Sequence, residues 1–450
     1  MATIQDASSC TGERTAGCKN FLSTLFSALD RGQVRYCVLH SWEELPDKLS
    51  SDLDIAVHPG DRPKLKFVFQ ALRERGYIPF QVFNYFVNAY YFVFFWFEGP
   101  VPNFVAVDII FEHRRGGLTV PSGEALVLGR RRQGMFWTPA PESEFTYLLS
   151  KKAWKRSAPA KQARRLRTLV EELGQPEAVR LAGELFVGKL KVRVVEACAC
   201  GSVDSFLSQI GAETWKTSLF RNPLRLAGYV VSEALRRMHR WLQPTGFFVV
   251  VMGPDGVGKS TLIKDLIQTL GPAFRRYRVF HWRPMLLWRR KTMSDTTRPH
   301  GQAAHGRLRS VARLFAHLSD YCMGYWLAIH PLLVRSGFVV FDRYFDDVRI
   351  DPKRYRYGGP VRLVRYLRFL IPQPDLVLVL DAPNEVIFSR KQEVAAEELQ
   401  RQRNLYFEYQ QETSNSRIIN ASVPMAQVAT ESARTILEYL ARRFERRHAF

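Results

Sequence analysis

From Gly246 onward, short apolar runs alternate with stretches of helical periodicity: GFFVVVM, RRYRVFHW, SGFVVFDRY, DLVLVLDAP and RIINAS. Runs that are apolar at nearly every position belong to strands covered on both faces, and the intervening helices supply the crossovers. The expected fold class over 244–450 is therefore α/β, a parallel sheet with helices on both faces. Before it, over 136–243, helical patterns such as PESEFTYLLSKKAW, AKQARRLRTLVEELG and LAGYVVSEALRRMHRWL follow one another with few strand signals. That stretch reads as a helical connector with no recognisable chemistry. Over 21–135 the pattern mixes a helix FLSTLFSALDRG, strands VRYCVLH and LDIAVHP, a helix from Pro63 to Arg75, and the strand VAVDIIFEH. This reads as a small α+β domain, preceded by a loose tail over 1–20, with Gly116-Gly117 near its end.

One segment looks different. Tyr77 to Phe97 carries no charge and is long enough on paper to span a bilayer. Pro79, Gln81, Asn84 and Asn88 interrupt it, and Tyr and Phe crowd it. Two buried strands joined by a turn suit that pattern better than a membrane helix.

The chemistry concentrates in Gly253-Pro254-Asp255-Gly256-Val257-Gly258-Lys259-Ser260, a full G-x-x-x-x-G-K-S, followed by Thr261. It lies between an apolar strand and the helical run TLIKDLIQTL, the context the motif requires. Its glycines allow backbone N–H groups to turn inward around phosphate oxygens, and the helix N-terminus adds positive potential. Lys259 is expected to neutralise the β- and γ-phosphates of ATP, and the Ser260 hydroxyl to help hold Mg²⁺. Asp342 ends the strand FVVFD, where a carboxylate can hold that metal through water. Arg343 follows it and can face the phosphate of an acceptor. Asp381 ends the next strand as a helix cap or a member of the metal network. Arg401 and Arg403, on a polar helix, are candidates for a mobile segment that closes over the phosphates.

A second set of carboxylates lies in the first half. Asp52 and Asp54 are two apart on one strand, hence on one face. Asp108 sits on a later strand. Three such carboxylates make a divalent-metal site suited to nucleotidyl transfer.

The formal net charge of +22 points to phosphate ligands or an anionic surface. The arginines are dispersed, however, and no RNA-binding signature accompanies them, so nucleic acid is disfavoured as a partner. A small phosphorylated acceptor is expected. A peripheral membrane contact and a homodimer both remain compatible with the composition. The six cysteines form no disulfide framework, and the N-terminus has no signal-peptide core. A cytoplasmic protein is the expectation.

The segments GPDGVGKST, FDRYFDD, LDAPNEVIFSRK and RQRNLYFEY resemble the thymidylate-kinase-like branch of P-loop nucleoside monophosphate kinases, over roughly residues 246 to 445. The resemblance implies that Asp255 lies near the acceptor sugar, that Asp342 and Arg343 are the Asp-Arg pair after the third strand, and that Arg401 and Arg403 are lid arginines. Where that family shows Arg-Glu-Pro-Gly, this chain has His281-Trp282-Arg283-Pro284. Arg283 then stands as a phosphate ligand in an altered acceptor pocket. A basic insertion from about Leu286 to Arg313, including Arg298-Pro299-His300-Gly301, follows. The pattern around Asp52, Asp54 and Asp108, with His40-Ser41 in place of an opening Gly-Ser, resembles polymerase-β-type nucleotidyltransferases over roughly residues 30 to 120. Proteins of this layout resemble those associated with bacterial surface-polysaccharide synthesis. The resulting expectation is an ATP- and Mg²⁺-dependent phosphotransferase acting on a nucleoside monophosphate or a phosphorylated sugar. Its competitors are a bifunctional kinase and nucleotidyltransferase, a nucleic-acid end-processing enzyme, and a non-catalytic ATP-binding regulator.

Overall fold

A computed structural model describes residues 5–6, 15–40, 42–49, 52–112, 121–209, 223–286, 303–391 and 395–447. Ser41, Gly116-Gly117 and Arg298 to Gly301 lie outside the described residues. The chain divides into two compact units, one mainly Thr11–Glu98 and Asn103–His239, the other mainly Arg240–Leu440.

The first unit is built on a mixed sheet of β1 (Tyr36–Val38), β2 (Leu53–Val57), β3 (Ile78–Phe86), β4 (Ala89–Glu98) and β5 (Val101–Ile110), in the order β1-β2-β5-β4-β3. The pair β2–β5 is parallel, with Asp54 beside Asp108, while β1–β2 and β3–β4 are antiparallel. The aromatic segment forms β3 and β4, as its pattern predicts. Asn88, at φ +59°, supplies the left-handed residue of the tight turn between them. Strand pleating then sorts the side chains. Tyr36, Val38, Ile55 and Val57 pack with Phe21, Phe26 and Val68 of the helices Thr15–Arg31 and Leu65–Glu74. Cys37, Ala56 and Ile110 point the other way and join Phe145, Leu148, Leu149 and Leu166 of the helices Pro141–Lys155 and Ala160–Leu173. Sheet and helical segment thus share a hydrophobic core. Asp54 and Asp108 have the parity of Ala56 and Ile110, which turns them toward the helices.

The second unit is a parallel α/β sheet. After two short antiparallel strands of the first unit, β6 (Arg131–Gln133) and β7 (Phe136–Thr138), come β8 (Phe247–Met252), β9 (Arg276–His281), β10 (Gly337–Asp342), β11 (Leu376–Asp381) and β12 (Ser416–Asn420). Their order is β9-β10-β8-β11-β12, all parallel, with Gln5–Asp6 antiparallel at the outer edge of β9. Every residue of β8 is buried, as a central strand covered on both faces must be. The chain leaves β8 toward one side of the sheet and later returns to its other side at β11. The carboxyl ends of β8, β10 and β11 therefore frame a switch-point crevice. No helix among the described residues is long and apolar enough to cross a membrane.

Phe341, fully buried on β10, has its ring 4.8 Å from that of Phe280, 5.2 Å from Phe248 and 5.3 Å from Tyr344. Phe341→Ala should cost about 3–5 kcal/mol in urea unfolding. Phe369→Ala, at an 85% exposed site, should stay within about 0.5 kcal/mol. Equal effects of the two would contradict this placement of the core.

Candidate active site

The loop after β8 turns on three glycines with positive φ: Gly253 at 141°, Gly256 at 84° and Gly258 at 106°. A Cβ on Gly253 would meet the Leu380 carbonyl oxygen at 2.5 Å, so that position accepts glycine for two reasons at once. The helix Lys259–Leu270 starts directly after the loop. The Lys259 ammonium is buried and donates to the carbonyls of Gly253 at 2.9 Å and Pro254 at 2.7 Å. Burial, then the nearby charge of Arg343, lowers its pKa to about 8. Val257 is buried, whereas Ser260 and Thr261 are exposed at the start of the helix.

Around this loop lies a buried ionic network. Arg343 follows β10 in the left-handed region, at φ 71°, with its N–H donating to the Val251 carbonyl at 2.9 Å. Its guanidinium, only 2% exposed, reaches Asp347 at 2.6 Å and hydrogen-bonds Asp255. Arg354 also donates to Asp255, and the Lys259 ammonium lies 3.6 Å from the same carboxylate. Asp347 further accepts the hydroxyls of Tyr355 at 2.7 Å and Tyr406 at 2.5 Å. Tyr406 in turn contacts the Gly253 carbonyl at 3.1 Å. Asp347 and Tyr406 were not singled out from the sequence. Asp347 was legible as the second carboxylate after Arg343 in FDRYFDD, but the tyrosines carry no spacing signal.

Asp342 ends β10 with its carboxylate 3.3 Å from His281 Nδ1. Burial pushes its pKa up, but the His281 hydrogen bond and Lys259 outweigh that and hold it below the ordinary carboxylate value. Its Oδ1 is buried with no hydrogen-bond partner. An ionised carboxylate with one orphaned oxygen at the mouth of a phosphate loop fits a hydrated Mg²⁺.

The other candidate arginines have carboxylate partners of their own. Arg283 is 6% exposed and pairs at 2.9 Å with Asp320, a wholly buried carboxylate that also accepts the N–H groups of Met285 and Leu286. Arg403 forms two bonds, 2.7 and 2.9 Å, to Asp381 and a third to Asn384. Arg401 pairs with Glu398 at 2.6 Å and donates to the Ile350 carbonyl. In this arrangement Asp381 serves as the anchor of Arg403. By contrast, Arg390, on the helix Asn384–Arg390, donates to the carbonyls of Ala421 at 3.0 Å and of the loop residue Val257 at 3.4 Å.

In the first unit, Asp54 and Asp108 lie side by side on the parallel strands β2 and β5, and Asp52 stands just ahead of β2. Among the described residues, no group of three or more His, Cys, Asp or Glu is placed to hold a metal. Asp52 is exposed ahead of β2, while Asp54 and Asp108 are buried. Lys151, from the helix Pro141–Lys155, brings its ammonium to 3.4 Å from Asp54, 2.7 Å from His40 Nε2 and 3.0 Å from the Tyr147 hydroxyl. His40 also contacts Asp54, and Tyr85 donates to Asp108. Burial pushes Asp54 up, but Lys151 and then His40 hold it well below its ordinary value. Asp108 is pushed well above its own by burial and then by the Asp54 charge. The two neighbouring carboxylates are thus pushed in opposite directions. The helical segment is thus not empty of chemistry, as its sequence suggested. Its sign was a helix buried from Glu144 through Ala153 that nevertheless contains Glu144, Lys151 and Lys152. Glu144 is satisfied by Arg165 at 2.6 and 2.7 Å.

No family model matches the chain. It is similar to the thymidylate kinase of Xanthomonas oryzae pv. oryzae (strain PXO99A), 31% identical over 147 residues, 32% of this chain and 59% of that protein. The chain thus spans 59% of the length of that curated relative. Against the thymidylate kinase of Xylella fastidiosa (strain M12) it is 26% identical over 220 residues, 45% of this chain and 92% of the other. A crystal structure of thymidylate kinase from Ehrlichia chaffeensis aligns with 43% of this chain and 100% of that one, at 16% identity and a TM-score of 0.28. Part of the chain is thus similar in sequence to nucleoside monophosphate kinases.

Lys151→Met should cost about 3 kcal/mol at neutral pH by stranding the Asp54 charge. Because Asp54 has a depressed folded pKa, its contribution is present above the unfolded value of about 3.9 and lost as pH falls through the folded one. The difference between variant and parent, measured by chemical unfolding from pH 7 down to about pH 2, should therefore hold to about pH 4 and shrink below it. A pH-independent difference would show that Lys151 acts through packing alone.

Proposed function

We propose that the chain is an ATP- and Mg²⁺-dependent phosphotransferase that transfers the γ-phosphoryl group to a nucleoside monophosphate or a phosphorylated sugar. A role in nucleotide-sugar or surface-polysaccharide metabolism suits such an acceptor. The observation that carries the reading is the phosphate loop with buried Lys259, faced by the network of Asp255, Arg343 and Arg354. The similarity of part of the chain to thymidylate kinases supports it.

ATP binds along the loop from Gly253 to Thr261, with N–H groups and Lys259 on its phosphates. Its anionic oxygens favour the charged form of Lys259, which burial alone disfavours. Ser260 and, through water, Asp342 would hold Mg²⁺, which would supply charge neutralisation at the transferring group. Arg343 and Arg354 exchange the Asp255 carboxylate for the acceptor phosphate, placing an acceptor oxygen in line with the γ-phosphorus. Asp255 is thereby freed to receive the acceptor's hydroxyl groups. Arg283 holds its loop through Asp320 rather than touching phosphate. Arg401 and Arg403 act on the transferring group only after leaving Glu398 and Asp381, a closure step of the lid type. Transfer of label from γ-labelled ATP to thymidylate, other nucleoside monophosphates or sugar phosphates tests the reading. Lys259→Ala should abolish transfer while leaving the fold intact, and full activity in that variant would refute it.

A specific observation favours a second reading, for the first unit. Its sheet and carboxylate pair suit a nucleotidyltransferase-like fold, and the Lys151 ammonium gives Asp54 a positive partner from the chain itself. The unit is a degenerate module that binds or positions substrate. No nucleoside triphosphate should yield pyrophosphate with it. Pyrophosphate release that survives Lys259→Ala and disappears in Asp54→Asn would instead establish a second active centre.

A further inference from the structure

The 20-residue helix Pro223–Leu242 is covered on one face only. On that face Arg236 donates to the Asn84 carbonyl at 2.6 Å and pairs with Glu233 at 2.5 Å. With about 3.6 residues per turn, the opposite face brings Leu224, Val231, Leu235, Met238 and Leu242 into one line. Each of these five is between 56% and 85% exposed. Val230 and Trp241, also exposed, widen the line on one side, with Ala227 and Ala234 between. The apolar arc so formed covers roughly 160° of the helix and runs about 27 Å along it. A soluble surface rarely leaves so continuous an apolar strip in water.

Charge on this helix is one-sided as well. Its sequence holds four arginines and one glutamate. The Glu233 side chain, 12% exposed, is taken up by Arg236 and, at 3.0 Å, by Arg237. None of the exposed residues described on the helix is a carboxylate. Arg237, its side chain 74% exposed, borders the apolar arc on one side, and His239 borders it on the other.

These features discriminate between occupants. A second copy of the helix would bury only a narrow seam, leave Val230 and Trp241 outside it, and offer Arg237 no acidic border residue. A bilayer surface takes the whole arc and needs no matching shape. Its anionic headgroups complement Arg237 and a chain of net charge +22. Trp241, at the edge of the arc, suits the headgroup boundary. We propose that the helix Pro223–Leu242 is an interfacial docking element that lays its exposed apolar arc into an anionic phospholipid surface. The helix then lies in the plane of the membrane rather than across it. This docking is independent of the phosphotransferase reading.

The test is co-sedimentation of the full chain with vesicles of phosphatidylcholine, alone or with phosphatidylglycerol as about a third of the lipid. Partition onto the phosphatidylglycerol vesicles should be at least about tenfold stronger, and added salt should weaken it. Leu235→Ser combined with Met238→Ser alters no charge and should lower that partition about tenfold. Arg237→Gln should lower it about fivefold. Because all three side chains are exposed, the urea unfolding midpoint of each variant should match the parent's. Absence of binding to the anionic vesicles would overturn the proposal. So would undiminished binding by the serine pair, which would assign the attraction to the basic surface as a whole. A dimer in sedimentation velocity that the serine pair dissociates would give the face to a second copy instead. A lowered unfolding midpoint in the serine pair would show that another segment of this chain covers it, which equally overturns membrane docking.

Discussion

A guanidinium with almost no access to water organises the second unit. Burying a charge is costly unless hydrogen bonds and a counter-ion compensate. Arg343 meets that demand with Asp255 on one side and Asp347 on the other. Asp347 is itself wholly buried and calls in the hydroxyls of Tyr355 and Tyr406. Tyr406 belongs to the helix Ala396–Glu412 and also touches the Gly253 carbonyl. One buried charge therefore ties the phosphate loop, the turn after β10, the segment around Tyr355 and a later helix into a single arrangement. The left-handed backbone at Arg343 is the local cost of directing that side chain inward.

The first unit solves a similar electrostatic problem with a different cation. Two carboxylates on neighbouring parallel strands cannot both ionise in a buried setting without a positive partner. A lysine carried on a helix provides it beside Asp54. A tethered ammonium of this kind needs no exchangeable ion and no solvent access. Tyr85 donates to Asp108, His40 contacts Asp54, and Tyr147 meets the Lys151 ammonium.

Much of this was legible in the residues. The strands of the parallel sheet follow the apolar runs to within a residue or two at either end, because a strand buried on both faces leaves little room for polar positions. The phosphate loop was legible because its glycines and lysine act through adjacent backbone. The partners of Asp255 and Asp54 were not. Arg354 lies far along the chain from Asp255, and Lys151 far from Asp54, and no local periodicity encodes a contact made by tertiary folding. Arg401 and Arg403 illustrate the converse. Their spacing matched a lid pattern, yet each is held by a nearby carboxylate that the motif does not mention.

The alternation of Tyr36, Cys37 and Val38 between two clusters has an evolutionary implication. One face of the mixed sheet is finished by the helices Thr15–Arg31 and Leu65–Glu74, the other by the helical segment that begins at Pro141. In this sequence the strands are therefore no free-standing module, since helices finish both faces. A gene rearrangement that separated them would expose Cys37, Ala56 and Ile110 to water and strand Asp54 without its lysine. Recombination that preserves folding must move the sheet and that helical segment as one cassette.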